Sequence, residues 1–194
     1  MTNEWDQYAD GWDTNTAVIE FSEKALASLT NVVAPDGLTI LDFGCGTGLL
    51  TEKLASRAKQ VVALDSSTEM LKVLQQKELA NVSIVNGLLT ADLLAESPVL
   101  QEKFDLIVAS SVCGFLPNYP EIVALFRSML KPDGLFIQWD WLTEDADAEY
   151  GMSIKTIATT FDNVGLTTVA LREEFSLAGP EGTMPVVMAV GRNP

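Results

Sequence analysis

The residues of this chain that could do chemistry are concentrated in one short run, Gly44-Cys45-Gly46-Thr47-Gly48, and in two acids beyond it, Asp65 and Asp140. Glycines at alternate positions let a backbone turn tightly and let a ligand approach it closely. They also leave N–H groups at a helix start to face a polar or anionic group. An acid ending the following strand suits ribose hydroxyls, as it does in nucleotide-binding α/β folds. The spacing then narrows the ligand. A dinucleotide loop reads G-x-G-x-x-G, whereas here the pattern is G-x-G-x-G followed by Leu49. No Lys-Ser/Thr pair follows the glycines, so a P-loop is excluded as well.

The chain has no histidine. Any proton-accepting role therefore falls to carboxylates, tyrosines or cysteine. Asp140 lies between Trp139 and Trp141 at the end of a strand-like run, the edge at which doubly wound folds bind ligands. It could act as a base, or orient a cation with the aromatic faces. The simpler reading, favoured here, is a strand-end acid placed for solvation. Tyr8, Trp12, Tyr119 and Tyr150 are candidates for a pocket wall, each read first as packing, and Cys113 is read as a small apolar filler. No residue is assigned as a catalytic base, and no set of metal ligands is assigned.

These residues need a framework, and hydrophobic periodicity supplies one. Residues 38–43 form a β-type run that ends in the glycine cluster, and 47–58 carry Leu50, Leu54 and Ala58 on a helical stripe. Residues 61–65 are the next strand. Ser66 then opens a capping box with Glu69, ahead of Met70, Leu71 and Leu74. Residues 82–86 and 104–110 read as the third and fourth strands. A helix starting at Pro120 is ended by Lys131-Pro132-Asp133-Gly134, and 135–141 make the fifth strand. A helix near 152–163 follows. Residues 167–177 and 184–191 are strand-like, and the turn segment 178–183 between them leaves no room for a crossover helix, so they pair as an antiparallel hairpin. Alternating strands and helices predict a parallel sheet covered on both faces. At the N-terminus Trp5, Tyr8 and Trp12 have helix-compatible spacings, and 18–29 reads as an amphipathic helix. That helix either packs on the core or serves as a lid. The expected organisation is a single domain over 1–194, with 1–35 a helical cap and 36–194 the α/β core.

Bulk composition restricts the partners. Twelve basic residues against twenty-seven acidic ones give a net charge of −15. Such a surface repels phosphate backbones, and no Lys/Arg cluster offers a local exception, so nucleic acid is not expected as a partner. No apolar run approaches the length of a bilayer span, so no membrane partner is expected. Two cysteines are too few for a disulfide framework, and residues 1–11 lack the basic start and apolar centre of a secretion signal. A cytoplasmic location is the expectation. Nothing in the sequence bears on oligomeric state.

The stretch Leu41-Asp42-Phe43-Gly44-Cys45-Gly46-Thr47-Gly48 resembles the first motif of the class I S-adenosylmethionine-dependent methyltransferases. DSSTEML at 65–71, FDLIVAS at 104–110 and LKPDG at 130–134 are similar to further segments of that family, in its order. The resemblance implies a doubly wound, Rossmann-like α/β sheet of seven strands, mostly parallel with a C-terminal antiparallel hairpin. It implies S-adenosylmethionine as cofactor and a small-molecule acceptor, because the chain looks most like the small enzymes that methylate metabolites. It also implies roles. Gly44, Cys45, Gly46 and Gly48 would line the methionine half, while Asp42 helps hold its amino group or the loop. Asp65 would take the ribose hydroxyls, with Ser66 and Met70 beside ribose and adenine. Gly87, Leu88 and Leu89 would contact adenine, with Leu88 where the family often has an acid. Ser110 and Ser111 would lie near the methyl donor, with Tyr8, Trp12, Cys113 and Asp140 on the acceptor side. Two other classes compete with an enzyme acting on metabolites: a non-catalytic S-adenosylmethionine-binding module, and a protein methyltransferase drawn to basic chains by its own acidity. A nicotinamide-dependent oxidoreductase is disfavoured by the glycine spacing and the hairpin.

Overall fold

The computed structural model describes residues 4–144, 150–179 and 182–194. The chain divides into two compact units, Met1–Glu102 and Lys103–Pro194.

The first unit contains three parallel strands in the order β3-β2-β1, with β1 at Thr39–Phe43, β2 at Gln60–Asp65 and β3 at Val82–Asn86. The register sets Phe43 beside Leu64 and Asp65 beside Asn86. All five residues of β1 and the four central residues of β2 are buried, as expected for parallel strands covered on both faces. Five helices accompany them: α1 (Thr16–Val32), α2 (Leu49–Ala55), α3 (Thr68–Gln76), α4 (Ala91–Glu96) and α5 (Pro98–Gln101). Phe21, Ala25 and Leu29 form the buried stripe of α1, and Met70, Leu71 and Leu74 that of α3.

The second unit has strands in the order β4-β5-β7-β6, at Phe104–Ser110, Leu130–Trp141, Gly182–Arg192 and Thr167–Gly179 respectively. β4 and β5 are parallel, and β7 runs antiparallel to both β5 and β6. Helices α6 (Tyr119–Met129) and α7 (Ile154–Val164) complete it. Phe136 of β5 meets Phe126 of α6 at 4.8 Å and Phe161 of α7 at 5.8 Å between ring centroids, and all three rings are fully buried. The seven strands make a mixed α/β sheet, mostly parallel with a C-terminal antiparallel hairpin, as the sequence led us to expect.

Several local expectations need correction. The cap of α3 is Ser67, not Ser66; its hydroxyl accepts the Met70 N–H, so Glu69 closes no capping box. Helix α2 starts at Leu49 rather than 47, because Gly46 and Gly48 sit at positive φ and keep the loop non-helical. The fifth strand begins at Leu130: Phe104 pairs with Leu130 and Leu106 with Leu135, so the 131–134 turn is held as a bulge within the ladder. The hairpin strands reach Gly179 and resume at Gly182, which leaves a far tighter connection than 178–183; residues 180 and 181 lie outside the described residues. The N-terminal aromatics do not share one helix. They occupy two 3₁₀ turns, Glu4–Tyr8 and Trp12–Thr14, separated by Gly11 at φ 82°. Helices α4 and α5 carry too weak an apolar stripe to be expected. Among the described residues, no helix is long and apolar enough to cross a membrane.

Candidate functional site

The glycine loop of the first unit is held by hydrogen bonds to its neighbours. Gly44 and Cys45 both donate to the Leu64 carbonyl, at 2.8 and 3.1 Å, and Gly48 donates to the Cys45 carbonyl at 2.9 Å. The Gly46 N–H donates to Asp65 Oδ2 at 2.8 Å. The expectation that these amides stay free to face a polar or anionic group of a ligand is therefore corrected for Gly44, Cys45, Gly46 and Gly48. A phosphate cradle needs free donors, which these four amides do not supply. Gly48 admits no side chain, since a Cβ there would fall 2.3 Å from Leu74 Cδ1.

Asp65 ends β2 with its carboxylate half-buried at the loop. Beyond Gly46, the Ser67 N–H donates to Oδ1 at 2.8 Å, and the Ser66 N–H also faces the group. A carboxylate has about four acceptor positions, so capacity remains for a ligand hydroxyl beside these three N–H groups. Burial pushes its pKa above the usual carboxylate range, against the pull of these N–H groups. Behind the loop, Asp42 is 1% exposed and accepts the Thr51 hydroxyl at 2.6 Å, tying β1 to α2. Desolvation pushes Asp42 up to about 7. Gly87 donates to the Asp65 carbonyl at 2.9 Å; Leu88 is exposed and Leu89 buried.

The N-terminal segment lies across this edge of the first unit. Asp6 accepts the Ser67 hydroxyl at 2.7 Å and faces the Glu69 N–H at 3.4 Å. Asp13 accepts the Thr47 hydroxyl and pairs with Lys77 at 2.9 Å. Between these two latches, Trp12 brings its indole nitrogen to 3.8 Å from where a Cβ on Gly46 would sit. Trp5, Tyr8 and Trp12 pack on one another with ring centroids 5.9–6.5 Å apart. Asp6 and Asp13 were missed in sequence, because their partners lie 61 and 34 residues away and no local pattern marks them.

The remaining candidates belong to the second unit. Ser110 ends β4, and Ser111 adopts φ 58° while donating its N–H to the Trp139 carbonyl at 2.7 Å. Cys113 and Asp140 are each 1% exposed. Asp140 is thus no solvated strand-end acid: its Oδ1 accepts the Gly114 N–H and its Oδ2 the Gln138 amide, both at 2.9 Å. Burial lifts its pKa to about 7. Gln138 was the residue missed here; a polar side chain between the apolar Ile137 and Trp139 was the available signal. Among the described residues, no three acids or cysteines gather into a group that could hold a metal ion.

The methyltransferase-domain family matches residues 41–138, from β1 to β5. A ubiquinone biosynthesis O-methyltransferase of Xylella fastidiosa is 38% identical over 104 residues, which cover 52% of this chain and 41% of that protein. The chain spans less than half the length of such curated relatives. Among solved structures, a methyltransferase of Haloferax volcanii in complex with the Trm112 activator superposes with a TM-score of 0.82 at 15% identity, over 100% of this chain and 99% of that one. A SAM-dependent methyltransferase of Aquifex aeolicus superposes at 0.76 and 16% identity, over 97% and 98%.

Proposed function

We propose, from the premise that this chain belongs to the methyltransferase-domain family of class I S-adenosylmethionine-dependent methyltransferases, that it transfers a methyl group from S-adenosylmethionine to a small-molecule acceptor. The observation that carries the reading is Asp65: an acid at the end of β2, preset by three backbone N–H groups, beside a loop whose own amides are engaged. That combination suits a nucleoside without a pyrophosphate. Bound S-adenosylmethionine supplies a methyl group already activated on a sulfonium.

What the chain contributes is placement, which can lower a barrier by about 7–11 kcal/mol in favourable cases. In this reading Asp65 holds the ribose hydroxyls, with Ser66 and Met70 alongside. Gly44, Cys45, Gly46 and Gly48 admit the methionine half, and Asp42 fixes the loop from behind through Thr51. Gly87, Leu88 and Leu89 contact adenine, and apolar packing takes the place of an acid there. Trp12 excludes water from the glycine loop beneath the N-terminal segment. The O-methyltransferase relatives favour a hydroxyl acceptor on a small molecule.

Titration calorimetry with S-adenosylmethionine tests the cofactor reading. The wild type should bind saturably. Asp65→Ala removes hydrogen bonds to a charged group and should weaken binding about 10- to 100-fold. A wild type that gives no heat at high cofactor concentration sinks the proposal. Release of S-adenosylhomocysteine with catechol as probe acceptor tests the hydroxyl reading, and binding without any turnover across small acceptors would favour a non-catalytic binding module.

A further inference from the structure

The turn that follows β4 is bound to β5 at its start by the Ser111 N–H on the Trp139 carbonyl and along its length by one buried acid. Ser111 opens the turn in the left-handed region at φ 58°, a conformation that a residue with a Cβ keeps only where its surroundings enforce it. Asp140 stands beneath. Its Oδ1 accepts the Gly114 N–H at 2.9 Å, and the N–H groups of Val112 and Cys113 face the same carboxylate. Three successive amides thus converge on one anion, a concave arrangement of backbone donors. Its Oδ2 accepts the Gln138 amide at 2.9 Å, and Gln138 in turn accepts the Tyr119 hydroxyl at 2.6 Å. Met152 Sδ lies 3.3 Å from the same amide nitrogen. One carboxylate therefore joins the turn, β5 and the first turn of α6. The backbone of Gly151 closes the far side, 2.9 Å from where a Cβ on Gly114 would lie.

Burying a carboxylate with no cation beside it is costly unless its acceptor positions are filled. Here backbone and amide donors fill them, and among the described residues every buried side-chain nitrogen or oxygen has a partner. The titratable groups facing Asp140 are the Cys113 thiol and the Tyr119 hydroxyl, both pushed upward by burial and by the acid itself. An apolar residue would fill the site at lower desolvation cost, but it could not gather the amides of a strained turn.

We infer that Asp140 is a positioning residue: its carboxylate holds the turn from Ser111 to Phe115 in the conformation that methyl transfer uses, and it acts through that backbone rather than by touching the reacting atoms. The inference rests on the methyltransferase reading above. It also gives Asp140 a role other than general base, since a sealed carboxylate occupied by these donors is not open to an acceptor's proton.

The test uses the full chain with Asp140→Ala and Asp140→Asn. N-ethylmaleimide labelling of Cys113, resolved by peptide mass spectrometry with Cys45 as internal control, reads the turn. Asp140→Ala should raise Cys113 labelling at least about tenfold by local opening and leave Cys45 unchanged. Asp140→Asn should stay near wild type, because its amide oxygen can keep the Gly114 N–H while the Gln138 amide turns over. With catechol as probe acceptor, Asp140→Ala should lower kcat about 100-fold, the scale expected of a small misplacement, with KM for S-adenosylmethionine unchanged, and Asp140→Asn should restore most of it. Cys113 that stays protected in Asp140→Ala overturns the inference. So does Cys113 that opens together with Cys45, or opens with kcat unaltered. Absence of turnover in the wild type counts against the acceptor reading, and the labelling contrast then decides the anchor by itself.

Discussion

Gly48 shows how closely a single residue can be specified. Its φ of 85° disfavours any residue with a Cβ, and Leu74 Cδ1 occupies the place a Cβ would need. Gly37 has a similar φ of 72° with nothing within 4 Å. The pair separates the two costs. Gly37→Ala should lose about 1–2 kcal/mol from backbone strain alone, and Gly48→Ala should lose more, because Leu74 must also move within the α3 packing. Urea denaturation of both variants measures the difference, and equal losses would mean that the Leu74 contact carries no weight. Asp65 is specified in another way. Its neighbours supply N–H donors to both oxygens, so the carboxylate is aimed before any ligand arrives.

At the scale of elements, the start of α3 is where the N-terminal segment meets the end of β2. Ser67 caps the helix through Met70 and donates its hydroxyl to Asp6, whose charge also favours a helix N-terminus. Ser67→Ala should cost about 1 kcal/mol by loss of the cap. Asp6→Ala should cost less alone, and the double variant should be non-additive by about 0.5 kcal/mol or more, because the two side chains share one hydrogen bond. Thermal melts of the four proteins settle it, and strict additivity would show that the latch is not energetically coupled. The second latch, Asp13 with Thr47 and Lys77, holds the same segment to the start and neighbour of α2. The segment is thus pinned on both sides of Trp12, as a cover over the glycine loop would be.

For the whole molecule, the two fully buried acids among the described residues set a pH dependence. Asp42 and Asp140 are both raised to about 7 by desolvation. Between the ordinary carboxylate value near 4 and that raised value, the folded chain binds protons that the unfolded chain has released. Their contribution to stability therefore falls as pH rises from about 4 to about 7 and is then fully lost. Asp42→Asn should flatten the fall in Tm across this window, and a slope equal to wild type would contradict the assignment. The net charge of −15 adds self-repulsion, which added salt screens. A single domain over residues 1–194 further predicts a single calorimetric transition, whereas two resolved transitions would separate the units divided after Glu102.

Much of the fold was written in local pattern. The strands ending at Phe43, Asp65 and Ser110 were legible because buried parallel strands are short apolar runs. The hairpin followed from a connection too short for a crossover. The glycines and Asp65 could be placed at the strand ends that open into α2 and α3 because strand–turn–helix signals are local as well. The structure alone decided contacts made across sequence distance. Asp6 reaches Ser67 and Asp13 reaches Thr47 over 61 and 34 residues, and Asp140 faces Gly114 over 26. No periodicity encodes such pairs, because a carboxylate finds its donor by the packing of whole elements. That is why Asp140 reads in sequence as a solvated strand end and in the fold as the buried anchor of a turn.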